Sequence, residues 1–167
     1  MLSACRSHTV HHGHVVDRTG REMDEVLAAV MLAPHTYTTE HMIEFGCHGG
    51  AMPARRVLAA CLEAGARQAR RGEFTERAFI GGRLDLVQAE AVADVVAART
   101  PHGLELALGQ LEGRLSGKLA ALRETVLAAR SEVEAALDFS EDVDGASAMA
   151  SAGALATEAA VQAAGLL

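Results

Sequence analysis

No stretch of this 167-residue sequence reaches the roughly 18 consecutive apolar residues that a membrane-crossing helix needs, and Met1 to Val10 lacks the apolar core of a secretory signal. The chain therefore reads as cytoplasmic, with no membrane role. Cysteine is scarce: Cys5, Cys47 and Cys61 are odd in number and match neither a zinc spacing nor a redox pair, which fits reduced structural thiols. Positive charge is also lacking, since the formal net charge is -7 and Ser131 to Leu167 holds seven acids without one Lys or Arg. Elsewhere acids and bases balance. Seven arginines face four acids between Arg55 and Val87, too small an excess for a stand-alone nucleic-acid footprint. No G-x-x-x-x-G-K-S/T phosphate loop occurs either; Gly113-Arg114-Leu115-Ser116-Gly117-Lys118 has the wrong spacing and lies in a helical pattern. These 167 residues are not a complete GTP hydrolase.

With half its residues hydrophobic, the chain has enough apolar matter for one ordinary domain or two small ones. His8 to Asp17 reads as a strand running into an Arg18-Thr19-Gly20 turn. Its four histidines invite a metal, but neighbours such as His11 and His12 point to opposite faces of a strand, so no metal site is expected. Met23 to Leu32 fits helix or strand by periodicity and closes before Pro34. Thr36 to Phe45 is β-prone and ends at Gly46; Gly49-Gly50 then opens a helix with Pro53 near its first turn. Such a corner offers unpaired N–H groups to a carboxylate or phosphate, although corners of this kind are common and a plain tight turn is the reading favoured here. The helix carries Ala54, Val57, Leu58, Cys61 and Leu62 on one face and stops at Gly65.

The chain changes character in Arg71 to Val92, where charged residues alternate with apolar ones around a Gly81-Gly82 break that a continuous helix disfavours. Asp85 and Gln88 have the spacing of a capping box, with Val92, Val95 and Val96 supplying apolar surface. Thr100-Pro101 starts a further helix. Leu104, Leu108, Leu111, Leu115, Leu119, Leu122, Val126, Val133 and Leu137 recur at steps of three, four and seven, which predicts one long helix with a buried stripe. Beyond Phe139 the chain turns acidic and then Ala/Ser/Gly-rich, with weak helicity expected only near Leu155 to Ala163.

Gly72 to Phe79 (GEFTERAF), followed by Gly81 to Val92 (GGRLDLVQAEAV), resembles the signature of the tRNA-modifying GTPase family called MnmE or TrmE, which carries GEFT-x-RAF, a short N-G-K-like turn and D-L-x-Q-A-E-A. Pro34 to Glu44 and Cys47-His48-Gly49-Gly50 are similar to that family's P-N-S-Y-T-G-E-D and H-G-G elements, and Gln110 to Gly113 and Ala136 to Phe139 to its helical segment. The resemblance spans roughly His8 to Asp144. It implies an α+β fold, with a small mixed sheet and flanking helices of the folate-binding, aminomethyltransferase-like kind, followed by part of a helical bundle. Residues 1–99 would form the folate-binding and dimerisation domain, without its first strands, and residues 100–167 the first segment of the helical domain, frayed after 140. The chain is thus expected to be an internal fragment or truncated product.

Functionally, the resemblance implies a part in modifying the wobble uridine (U34) of tRNA, with 5-formyltetrahydrofolate or a related tetrahydrofolate as one-carbon source. GTP, Mg and K belong to the full-length family only. The implied partners are a second copy, a flavin-dependent MnmG (GidA)-like enzyme, and tRNA within that complex. Folate contacts carry over to Glu44 and to Arg83, where the family usually has lysine. A carboxylate suits an amino-pyrimidinone edge, and a cation suits carboxylates or electron-rich groups. Thr39 stands where the family has glycine, His41 where it has aspartate, and Gly81 where it has asparagine. The competing readings are a non-catalytic dimerisation module without folate binding, and a stand-alone one-carbon transferase. For the latter no catalytic residue is identified, because Cys47 and His48 would diverge on a strand. Purified protein is expected neither to bind nor to hydrolyse GTP, and specific GTP turnover by contaminant-free material would overturn that reading.

Overall fold

The structure, a computed structural model, describes residues 5–138 and 144–166. The element order is β1 (Thr9–Val16), β2 (Glu22–Met31), β3 (Met42–Gly46), α1 (Ala51–Glu63), α2 (Glu73–Ile80), α3 (Leu86–Ala97), α4 (Pro101–Leu111), α5 (Arg114–Asp138) and α6 (Gly145–Ala164). This is the expected α+β class. The sheet has the order β1-β2-β3 and is antiparallel at both pairings, where a mixed sheet was expected. The connections are too short for the crossover that parallel neighbours need. Asp17 closes the first turn: its Oδ1 accepts from the N–H of Thr19 at 2.8 Å and of Arg21 at 3.1 Å, while Gly20 takes φ 84°.

The chain forms two compact units, Met1–Leu84 and Asp85–Leu167. The division falls earlier than the 99/100 boundary expected from the sequence. α3 belongs with the helices after it, because Gln88 Nε2 donates 2.9 Å to the carbonyl of Leu111 at the end of α4.

In the first unit the apolar core is Val26, Val30, Val57, Ala78 and Leu84, joined by the buried polar residues Thr36, Thr38 and Glu73. The inward face of α1 runs through Pro53, Val57, Ala60 and Cys61, so Leu58 and Leu62, expected inside, lie exposed. The β-prone run expected from Thr36 forms a strand only from Met42. Before that, hydroxyls capture the backbone locally: Thr36 Oγ1 donates 2.7 Å to the Glu40 carbonyl, and Thr39, at φ 64°, donates 2.6 Å to that of Thr38. Short side-chain bonds of this kind compete with a strand ladder.

In the second unit the capping box forms as expected: Asp85 Oδ1 accepts from Gln88 N–H at 2.9 Å and Gln88 Oε1 from Asp85 N–H at 3.0 Å. Thr100 caps α4, with Pro101 at the first helical position. The single long helix expected from the leucine stripe is broken between α4 and α5, where Gly113 adopts φ 84°. The stripe runs through the break because steps of three and four also fit two consecutive helices. Residues 139–143, where fraying was expected to begin, lie outside the described residues. Beyond them α6 is a full 20-residue helix. Its Ala148, Ala152 and Ala159 are buried, and Gln162 Nε2 donates 3.2 Å to Thr125 Oγ1 on α5. Small side chains at steps of four and seven let two helices pack closely. Among the described residues no helix is long and apolar enough to cross a membrane.

Candidate functional site

The first unit is tied together around Glu73, the acid that opens α2. Its side chain is 5% exposed. Arg67 grips both carboxylate oxygens, Arg70 N–H donates at 2.8 Å, and Arg77 donates from Nε at 3.2 Å and from its terminal nitrogen at 2.9 Å. The guanidinium of Arg67 first, then the Arg70 N–H and Arg77, hold this carboxyl far below the usual carboxylate range. Arg77 is shared: its other terminal nitrogen donates 2.8 Å to Glu40 in the 33–41 loop.

Two further bonds join that loop to the α2 segment. Tyr37 Oη and Thr75 Oγ1 share a hydrogen bond at 3.0 Å, and the Arg83 guanidinium carbon lies 4.9 Å from the centre of the Tyr37 ring. Such a cation–π stack orients a cation without neutralising it. Arg83 makes no ion pair among the described residues, so its charge is available to a ligand. It lines a groove of about 440 Å³ with His8, Met31, His35, Tyr37 and Gly82.

Thr39 and Gly81 meet at the edge of this groove. A Cβ at Gly81 would stand 2.2 Å from Thr39 Oγ1 and 3.1 Å from the Arg77 carbonyl. Two positions noted above as departing from the resembled pattern, Thr39 and Gly81, therefore face each other across a single contact. A larger group in the loop is matched by a smaller one at the helix end.

Glu44 lies on β3 opposite Ala29 and is exposed. By alternation it shares a face with Met42, whose partner Met31 reaches the Arg83 groove. Glu44 itself lines none of the main grooves, so the two expected ligand residues stand on adjoining surfaces instead of in one closed pocket. Sequence reasoning missed Tyr37, which orients Arg83, and Glu73, which holds the segment. The acid count of the signature pointed to Glu73 only weakly.

Among the described residues no side chain caps α1 at the Gly49-Gly50 corner, and the nearby Asp24 carboxylate engages His48 just ahead of it. Asp24 Oδ2 accepts from His48 N–H at 3.1 Å, and its Oδ1 lies 2.8 Å from His48 Nδ1. The His48 ring is the main cause holding the Asp24 carboxyl below its usual range. That ring is thus engaged with Asp24 and not with the Cys47 thiol. On β1 and β2, His12 Nε2 lies 2.5 Å from Glu25 Oε1, and His14 packs edge-on to His12. In the second unit the Asp85 carboxyl is lowered chiefly by the neighbouring Ser116 hydroxyl and next by the Gln88 N–H. The Ser116 oxygen makes no hydrogen bond of full geometry among the described residues.

Two motif segments locked by ion pairs, with an unpaired cation beside a three-stranded sheet, make up the first unit, and a helical unit follows it in the chain. Residues 2–83 match the family model described as "GTP-binding protein TrmE N-terminus", and residues 86–163 that of the "MnmE helical domain". The chain belongs to the MnmE (TrmE) family of tRNA modification GTPases. It is 47% identical over 143 residues to the tRNA modification GTPase MnmE of Alkaliphilus oremlandii, covering 85% of this chain and 31% of that protein. It is 48% identical over 141 residues to the MnmE of Levilactobacillus brevis, covering 84% and 30%. With the MnmE of Heliobacterium modesticaldum it shares 51% over 137 residues, covering 81% and 29%. The chain spans about three-tenths of the length of these relatives.

Two outcomes follow from the geometry. Because folding lowers the Glu73 pKa, the stabilisation it brings is complete above its ordinary value of 4.5 and is lost as the pH falls below that toward the folded value. Glu73→Gln is therefore expected to lower the thermal midpoint at pH 7 by on the order of 5–10 °C, with the gap to the wild type narrowing in melts taken below pH 4.5. A pH-independent gap would contradict this. Separately, Gly81→Asn alone should destabilise by about 1–3 kcal/mol through overpacking. With Thr39→Gly also in place, the cost of Gly81→Asn should fall by at least about 1 kcal/mol, a coupling readable by denaturant melts of the four-protein cycle. Additive effects would refute that coupling.

Proposed function

We propose that the first unit binds a tetrahydrofolate derivative, with 5-formyltetrahydrofolate as the reference ligand, and serves the wobble-uridine modification of tRNA carried out by a complete protein of this family. The observation that carries the reading is the unpaired Arg83 guanidinium, held on Tyr37 at the rim of a groove that adjoins the Glu44 face of the sheet. The residues present fit the group. Glu44 offers a free carboxylate to the pterin's amino and ring N–H groups, and the Arg83 fork suits the carboxylates at the other end of the molecule. When bound, the folate would supply the one-carbon unit. The chain's own part is to bind and orient it. GTP turnover, a second subunit and a flavin-dependent MnmG-like partner belong to this proposal as properties of the whole protein in the cytoplasm, as does the labelling of Met1–Leu84 as a folate-binding domain.

Calorimetric titration with 5-formyltetrahydrofolate tests the reading. Glu44→Gln is expected to weaken binding by about 1.5–3 kcal/mol, the range for hydrogen bonds to a charged group. Arg83→Ala should weaken it as well, whereas Arg83→Lys, which restores the family's usual residue, should preserve or improve it. Wild-type binding indifferent to Glu44→Gln, or no wild-type binding at all, would overturn the site.

A dimerisation module remains the second reading, favoured by the exposure of Leu106, Leu108, Val126 and Leu137 in the helical unit. It predicts a dimer mass by light scattering at tens of micromolar protein, roughly the range of a weak interface, and a monomer mass would contradict it.

A further inference from the structure

Four grooves stand out among the described residues, and three of them contain carboxylates: Glu40 and Glu73 in one, Glu105 in another, Glu25 in the third. The Arg83 groove contains none. It holds instead one unpaired guanidinium and two imidazoles, His8 and His35. Glu40, the nearest acid along the loop, is turned to Arg77 at 2.8 Å. The backbone at the helix end offers no free donor there, because the N–H groups of Gly81, Gly82 and Arg83 bond to the carbonyls of Arg77, Phe79 and Ala78. Recognition at the helix end of this groove must come from side chains.

Those side chains supply more donors than one carboxylate uses. Arg83 alone presents a two-pronged fork. His8 Nδ1 lies 2.8 Å from Ser7 Oγ, leaving Nε2 for a ligand, and His35 makes no hydrogen bond among the described residues. A neutral imidazole still carries one N–H donor, so neither ring needs to be charged to meet an anion. The groove's 440 Å³ also exceeds what a single carboxylate fills.

We propose that this groove is an oligocarboxylate site, which makes the protein selective for tetrahydrofolates carrying several γ-linked glutamates over the monoglutamate. The inference rests on the folate reading above and adds a preference for chain length. Arg83 meets the carboxyl end of the first glutamate, which every chain length carries, and His8 and His35 the carboxylates that the following glutamates add.

The test is a titration of the full chain with tetrahydrofolate mono- and triglutamate. At about 2- to 5-fold per exposed charge contact, the triglutamate should bind about 5-fold or more tighter at low salt, and the ratio should shrink at high salt. Arg83→Ala should weaken both compounds and leave most of the ratio in place, whereas His8→Gln with His35→Gln should bring the ratio close to one. Arg56→Ala, which removes an exposed charge on α1, should leave the ratio unchanged. Equal wild-type affinity for both lengths, or a loss of the ratio in Arg56→Ala, would overturn the oligocarboxylate site while leaving the folate reading intact. Failure of both compounds to bind would overturn the folate reading, and this site with it.

Discussion

The Glu73 carboxylate, nearly buried and met by two guanidiniums and a backbone N–H, is the interaction on which the arrangement of the first unit's motif segments depends. A buried charge is tolerable only when its oxygens are fully engaged. Satisfying Glu73 fixes Arg77, and Arg77 in turn reaches Glu40 in the loop ahead of β3. The same turn of α2 offers Thr75 to Tyr37. Two signature segments that lie far apart in the chain are thus one structural object. Once they are locked, the helix must end at Gly81, whose missing Cβ leaves room for Thr39. Arg83 then emerges where Tyr37 can hold it.

The helical unit is built on a different economy of contacts. Among the described residues its buried positions are small, Ala91, Ala107, Gly109, Ala148, Ala152 and Ala159, while several leucines remain exposed. Close approach of backbones, and not large side chains, provides its packing. Gln88 shows how polar residues compensate: one amide caps α3 through Oε1 and ties down the Leu111 carbonyl through Nε2. The D-L-x-Q pattern therefore has a structural reason independent of any ligand.

What was legible in the sequence was local. The Asp85–Gln88 capping box, the Thr100-Pro101 start and the Asp17–Gly20 turn depend on neighbours a few residues apart, and each formed. The Gly113 break was hidden because apolar spacing persists across it, although the positive φ demanded a glycine. The Thr36 run misled for the opposite reason: β propensity was outweighed by hydroxyls bonding to nearby carbonyls. α6 was underrated because its stripe consists of alanines, which a search for large apolar residues passes over. At the site, Glu44 and Arg83 were singled out by the resemblance to the family and by no local pattern. The Tyr37 stack and the Thr39–Gly81 contact were not legible, since they join positions about 40 residues apart that no local rule pairs.

The central claim is that the ligand lies across the Glu44 face and the Arg83 groove. Backbone and methyl chemical-shift mapping of the full chain with 5-formyltetrahydrofolate tests it most directly. The account predicts saturable shifts clustered at Met31, Met42, Glu44, Tyr37 and Arg83, with the helical unit after Asp85 undisturbed. Shifts confined to the second unit, or to the Asp24–His48 corner, would contradict it.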